Sequence, residues 1–310
     1  MLQLLADCSV SSQTDSFSRN PFKKHDAPYR DILTNVKFVF LQHGVISNDL
    51  SELLSKKEQN LYGFVTSTNR EYLSVINGEY HYNENEVWLT GLPRFDALKD
   101  SRKKIVTILP TWRKYLSNGQ DHQTGVWNLI GNFSESTYAT FYRELLQNER
   151  LNLKAKELGY IIQFKIHPSF LTHADKFNFA SNVRLVDPSV SYRDIYSESS
   201  LIVTDYSSSI YDFIYMHKPI IYTQFDYSEF FSGKHMYEKG DFDYEKDGFG
   251  EVEYTLESTV DRIIEYMEND CQLKSVYRKR IDDCFTFNDR KCCERVYNKI
   301  IERQNEYKQG

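Results

Sequence analysis

The sequence predicts an α/β protein built on parallel sheets. Three observations carry that prediction. Short runs rich in Val, Ile and aromatic residues recur along the chain. Most are continuously apolar rather than alternating, as strands covered on both faces are. Longer amphipathic stretches separate them, and strand–helix–strand order produces parallel pairing.

The strands fall at 36–41 (VKFVFL), 62–67 (YGFVTS), 86–90 (EVWLT), 104–110 (KIVTILP), 160–166 (YIIQFKI), 182–186 (NVRLV), 201–204 (LIVT) and 219–223 (PIIYT). A helix is expected over 136–159, closed by Gly159 as a C-cap. A second is expected over 207–218, where Ile210, Phe213, Ile214 and His217 repeat at helical spacing. Two or three charged amphipathic helices fill 256–307. The first 35 residues are polar and weakly periodic and suggest no element. The acidic, aromatic piece 238–254 reads as a loop. The polar interval 96–105 is the best domain boundary, giving an N-terminal domain over 1–100 and a C-terminal one over 101–310.

Composition sets outer limits. In 310 residues, 40% are apolar and 15% aromatic, with 23 Tyr and 20 Phe, enough for a substantial core. The formal charge of −6 argues against broad electrostatic binding to nucleic acid. The five cysteines, Cys8, Cys271, Cys284, Cys292 and Cys293, show no C-x-x-C spacing, so reduced thiols in a cytosolic protein are expected rather than a zinc site or disulfide framework. No apolar run approaches the ~20 residues that span a bilayer. The N-terminus lacks the pattern of a signal peptide.

Chemistry-bearing residues gather at strand ends, where open α/β sheets bind ligands. FLQHGV (40–45) ends a strand in His43-Gly44, and FKIHPS (164–169) ends another in His167-Pro168. Either histidine alone is more often structural; two such sites are harder to dismiss. ILPTWRKYL (108–116) places Thr111 and Arg113 after a strand, and a guanidinium there suits bidentate phosphate contact. TGLPRFD (90–96) is equally compatible with an ion-paired turn or a ligand contact through Arg94 and Asp96. VTDYSSSIYDF (203–213) runs from strand through Thr204, Asp205, Ser207 and Ser208 into a helix. That turn could cap the helix or hold a phosphate. Asp205 would repel phosphate and suits capping or ribose contacts. HKPIIYTQFDYSEFF (217–231) adds Asp226 and an aromatic loop whose rings suit a core or a nucleobase. G-x-x-x-x-G-K-[ST], G-x-G-x-x-G and G-x-S-x-G are all absent, against a P-loop, a dinucleotide site and an α/β-hydrolase.

The ordered set His-Gly, TGLPRFD, LPTWR, KIHP, TDYSSSIYDF, KPIIYTQFDYSEF and FNDRKCCERV resembles the CDP-glycerol glycerophosphotransferase family, the teichoic acid and capsule polymerases and primases. The resemblance runs from about residue 38 to 300. It implies a glycosyltransferase-B-like fold of two Rossmann-like domains facing across a cleft, the C-terminal one binding the activated nucleotide. It implies transfer of glycerol phosphate, or a related polyol phosphate, from a CDP-activated donor to a hydroxyl of a polymer or lipid-linked acceptor. CMP leaves, and the product belongs to teichoic acid or capsular polysaccharide synthesis.

His43 would then be the general base and His167 the group that stabilises charge on departing CMP. Arg113, Thr111, Ser207 and Ser208 would hold phosphate oxygens, with Thr204, Asp205 and Asp226 in the same donor-binding set. No metal or resident cofactor is implied. A cytoplasmic protein, in peripheral contact with the inner membrane face through its acceptor, is the expected setting. Two departures stand out. The family's His-Gly is often followed by Thr-Pro-Leu-Lys, whereas this chain reads HGVISNDL. Only about forty residues precede His43, fewer than the ~100 of an ordinary domain, so either a shortened N-terminal domain or a chain that lacks its start is expected. The competing expectations are a glycosyltransferase using a sugar nucleotide and a truncated, non-catalytic nucleotide-binding remnant.

Overall fold

The computed structural model describes residues 7–14, 37–46, 49–121, 127–232 and 242–309. They divide into two compact units: residues 1–98 with 282–310, and residues 99–281. The domain limits read from the sequence ran the second domain to 310. The structure instead returns the last stretch to the first unit, because the Asp96 carboxylate accepts the N–H groups of Cys292 (2.9 Å) and Cys293 (2.8 Å) at the start of the helix Cys292–Gln309.

The first unit is a four-stranded parallel sheet in the order β1 (Cys8–Ser11), β2 (Lys37–Phe40), β3 (Gly63–Thr66) and β4 (Val87–Leu89). β2, β3 and β4 fall where continuous apolar runs predict them. β1 was not expected. It is an edge strand of small, half-exposed residues, CSVS, and so carries little hydrophobic signal. Phe38, Phe40, Phe64, Val75 and Tyr80 form the core of this unit.

The second unit holds a six-stranded, all-parallel sheet in the order β12-β11-β10-β5-β8-β9. Its strands are β5 (Ile105–Ile108), β8 (Ile161–Phe164), β9 (Val183–Leu185), β10 (Leu201–Thr204), β11 (Ile220–Thr223) and β12 (Gly250–Glu253). A separate two-stranded ribbon, β6 (Ser117–Gln120) with β7 (Trp127–Leu129), leaves the chain after β5. Counted along the unit without that ribbon, the sheet order is 6-5-4-1-2-3, the doubly wound arrangement of Rossmann-like domains. Its strand order reverses between β5 and β10. β12 corrects the loop expected over 238–254, of which residues 238–241 lie outside the described residues. It is an edge strand with two half-exposed positions, so only its backbone pairing with β11 reveals it.

Helices cover the second sheet. The single helix expected over 136–159 is two, Thr137–Gln147 and Glu149–Leu158, broken at Asn148, whose side chain caps the second through the Leu151 N–H at 2.9 Å. Gly159 closes it in the left-handed conformation (φ 73°), as the sequence suggested. Tyr138, Tyr142, Leu145, Val260 and Ile263 pack from these helices and from Leu256–Glu268 into one core with Val106, Phe164 and Val203. The helix expected over 207–218 is shorter: one 3-10 turn, Ser208–Ile210, then Tyr211–Tyr215. His217 leaves it with φ 54°, and Lys218 precedes Pro219, a position that disfavours helical backbone.

Lys218 fixes that exit. Its side chain is fully buried, and Nζ donates to the carbonyls of Tyr196 (2.7 Å), Ser197 (2.7 Å) and Ser199 (3.1 Å) at the end of the helix Tyr192–Glu198. It also pairs with Asp100 at 3.0 Å. Burial lowers its pKa to about 8, and the Asp100 hydrogen bond and charge oppose that shift. Replacing Lys218→Met strands three helix carbonyls without their donor. The variant is expected to lose about 2 kcal/mol of stability, read from urea unfolding, and an unchanged midpoint would contradict the role.

Candidate active site

The turns that follow β5, β8, β10 and β11 all leave from the carboxyl edge of adjacent strands, astride the point where strand order reverses. In open α/β sheets this is where a ligand-binding crevice forms.

Asp205, the residue after β10, binds the turns together. Its carboxylate accepts the backbone N–H of Thr111 after β5 (2.9 Å) and of Tyr206 in its own turn (2.7 Å), and the hydroxyl of Tyr142 (3.2 Å). Beside it lies Arg113, completely buried. Its guanidinium meets Asp205 at 2.9 Å and Asp226, after β11, through Nε (2.7 Å) and Nη2 (3.1 Å). The remaining nitrogen, Nη1, donates to the Thr111 carbonyl at 2.7 Å. Tyr115 and Tyr206 donate to Asp226, and the rings of Tyr138, Tyr206 and Phe230 surround the guanidinium at 4.8–5.2 Å from ring centroid to Cζ. The carboxylates push the Arg113 pKa well up against the opposing effect of burial.

This arrangement reassigns several expected binding residues. Arg113 has every nitrogen engaged and none exposed, so it braces the turns from beneath and is not a phosphate clamp in this structure. Asp205 and Asp226 are its counter-ions, and burial removes them from direct ligand contact. Thr204 is buried too, its hydroxyl donating to the Leu109 carbonyl at 2.8 Å. Ser207 caps the short helix by accepting the Ser209 N–H, and its hydroxyl pairs with that of Ser209 at 2.7 Å. Ser208 is exposed. The Thr111 hydroxyl is buried without a hydrogen-bond partner among the described residues. Thr111 and Ser208 therefore keep side-chain capacity for a ligand.

His167, after β8, has its ring stacked on Trp112 (17° between planes, centroids 6.1 Å apart). Trp112 in turn packs on Trp127 of the β6–β7 ribbon at 4.9 Å. Nδ1 of His167 accepts the Ser169 N–H at 3.2 Å. Burial lowers the pKa of the ring to about 4, with the Asp205 charge acting the other way. A neutral imidazole that accepts at Nδ1 carries its proton on Nε2. His167 is thus arranged as a neutral hydrogen-bond donor at neutral pH.

His43 lies in the first unit, in the turn after β2, and is exposed. Its pKa lies below the ordinary imidazole value, through burial of part of the ring and then the charge of Arg94, while a hydrogen bond with the Ser12 backbone raises it. Arg94 donates to the His43 backbone carbonyl. The TGLPRFD motif therefore has a local task in this unit: Arg94 braces the His43 turn and Asp96 caps the last helix. Gly91 permits that packing, since its φ of 79° is left-handed and a Cβ there would sit 2.5 Å from Cys292 Sγ.

Sequence reasoning missed the phenols of Tyr115 and Tyr142, the Trp112–Trp127 pair and the buried Glu71 beside the His43 turn. Trp112, Tyr115 and Tyr206 sat inside recognised motifs without being singled out; Tyr142 lies in a stretch read only as helix, and Trp127 and Glu71 in stretches assigned no element.

The two parallel-stranded units place the chain in the glycosyltransferase-B fold class. The chain belongs to the CDP-glycerol:poly(glycerophosphate) glycerophosphotransferase family, whose match covers residues 29–302. It is 36% identical over 306 residues to the minor teichoic acid biosynthesis protein GgaB of Bacillus subtilis (strain 168), covering 98% of this chain and 33% of that protein. It is 28% identical over 262 residues to the teichoic acid poly(ribitol-phosphate) polymerase of Bacillus spizizenii, covering 78% of this chain and 39% of the relative. Among solved structures, the wall teichoic acid polymerase TagF superposes with a TM-score of 0.59 at 15% identity, over 98% of this chain and 74% of that one. A UDP-GlcNAc 2-epimerase from Neisseria meningitidis, bound to UDP-GlcNAc, superposes with a TM-score of 0.53 at 11% identity, over 96% and 76% of the two chains. The chain spans between 33% and 44% of the length of the curated relatives it matches. Among the described residues no helix is long and apolar enough to cross a membrane.

The Arg113 cluster predicts its own test. Arg113→Met leaves two buried carboxylates without their cation and is expected to cost about 3–5 kcal/mol in urea unfolding. A loss below about 1 kcal/mol, within the range of an exposed pair, would contradict the bracing role.

Proposed function

We propose that this chain carries the transfer of glycerol phosphate, or a related polyol phosphate, from a CDP-activated donor to a hydroxyl of a teichoic acid-type acceptor. One observation carries the reading: Thr111, His167 and Ser208 leave the carboxyl edge of one doubly wound sheet at its switch point, on turns held by a fully buried ion-pair cluster. Family membership supplies the donor class. His167, neutral and protonated on Nε2, donates to a diphosphate oxygen and stabilises the charge that develops as CMP departs. The Thr111 and Ser208 hydroxyls add neutral donors, so a dianionic group is met by hydrogen bonds and aligned backbone rather than by Arg113.

The acceptor oxygen forms its bond to the polyol-bearing phosphorus. The bond from that phosphorus to the bridging oxygen breaks, and CMP leaves with the electron pair. The acceptor's proton passes to His43, whose depressed pKa keeps the ring unprotonated and able to accept it at neutral pH. A peripheral membrane setting follows only from a lipid-linked acceptor and is part of the proposal, as is the absence of a resident cofactor. A sugar-nucleotide glycosyltransferase on the same fold is the competing activity.

CMP release from CDP-glycerol with a polyol-phosphate-primed acceptor tests the reading. His43→Ala is expected to lower kcat by about 10²–10⁴-fold, and His167→Ala by about 10²–10³-fold. Because His43 must be unprotonated, the rate falls with falling pH through a midpoint below 6.5; His167, neutral down to about pH 4, contributes no limb above that. Turnover of UDP-sugars in place of CDP-glycerol, or rates indifferent to both substitutions, would overturn it.

A further inference from the structure

We propose that Glu71 is a positioning residue for His43, its buried carboxyl clasping both flanks of the His43 turn and so fixing where the imidazole points. The inference rests on the assignment of His43 as the general base.

Glu71 lies in the first turn of the helix Asn69–Asn77, which follows β3, and Thr68 caps that helix by accepting the Glu71 N–H at 3.1 Å. Its side chain is 1% exposed. Oε1 accepts the Ile46 N–H at 2.8 Å, on the far side of the His43-Gly44-Val45 turn, and Oε2 accepts the Ser67 N–H at 2.7 Å. On the near side, the Gln42 amide Nε2 lies 3.5 Å from Oε1. Gln42 is itself buried and holds φ at 65°, a conformation that residues with a Cβ rarely adopt. Such a backbone persists only where its surroundings impose it, and the carboxyl of Glu71 is the polar group set against this segment from both directions. The oxygen of the same amide, Gln42 Oε1, is buried without a partner among the described residues. Turned over, that amide would present Oε1 to a protonated carboxyl, so either charge state of Glu71 can be met by Gln42.

Burial raises the Glu71 pKa to about 7, with the N–H groups of Ile46, Ser67 and Thr68 and the charge of Arg94 lowering it. Among the described residues, Tyr80 and Cys284 also face it. A buried carboxyl used only as a helix cap needs neither Ile46 nor Gln42. Here the same group joins the end of β3 to the turn after β2.

The test combines imidazole ¹H–¹⁵N spectra of the 310-residue chain with CMP-release kinetics on Glu71→Ala, Glu71→Gln and His43→Ala, the last assigning the His43 resonances. Glu71→Ala is expected to shift the His43 ring resonances and their titration midpoint while leaving those of His167 in place. It should lower kcat by about 10–100-fold, the scale of a misplaced catalytic group, with the CDP-glycerol KM within about twofold. Glu71→Gln, which keeps one acceptor oxygen, should recover part of both effects, and it carries the comparison if Glu71→Ala fails to fold. His43 resonances identical to the parent in a folded Glu71 variant would overturn the proposal. Loss of CMP release in His43→Ala with parental kcat and spectra in the Glu71 variants would overturn positioning alone. Parental activity in His43→Ala would instead sink the base assignment, and the spectra would then decide whether Glu71 holds the turn.

Discussion

Asp205 is the carboxylate on which the second unit's ligand-facing edge depends. It stands at the end of the first strand beyond the switch point and accepts the backbone of the turn on the other side, so two turns far apart in sequence are held by one side chain. Burying that charge is costly, and Arg113 and the Tyr142 hydroxyl supply the compensation. Arg113 then needs Asp226, which in turn needs the phenols of Tyr115 and Tyr206. The cluster gathers one cation and two anions, and every oxygen of the carboxylates has a donor. Such a network does little for net stability compared with an apolar core. Its effect is geometric: three strand-end turns are locked to one another, so that half-buried Thr111 and exposed Ser208 sit on a rigid support.

The same logic separates the histidines. His167 is pressed against Trp112 and keeps its proton on Nε2 because the Ser169 N–H occupies Nδ1. His43 is itself exposed, on a turn whose Gln42 and Val45 are buried, with Arg94 on its backbone carbonyl. One environment yields a fixed donor and the other a ring able to take up a proton, two roles that a single imidazole environment could not serve together.

Much of the sheet was legible in the sequence because buried parallel strands announce themselves as continuous apolar runs; β5, β10 and β11 are fully buried along their length. The edge strands β1 and β12 were not, since an edge has one solvated side and its residues, CSVS and GEVE, resemble loop. The motifs located the strand-end turns, and the family resemblance named their chemistry. What motifs cannot convey is depth. Arg113 after a strand looks like a phosphate ligand until its burial is known, and Asp226 looks like a loop carboxylate until the guanidinium is found against it. Lys218 of the KPII motif is likewise a helix-end brace, and Asp96 of TGLPRFD a helix cap. Several of the residues that make the pattern recognisable thus support the site from behind.

The most direct measurement is a crystal structure of the chain soaked with CDP-glycerol. The diphosphate is expected at the carboxyl edge between β5 and β10, with an oxygen within hydrogen-bond distance of His167 Nε2, others on Thr111 and Ser208, and Arg113 still buried on Asp205 and Asp226. A diphosphate bound directly by Arg113 after release from its carboxylates, or bound away from His167, would contradict this placement.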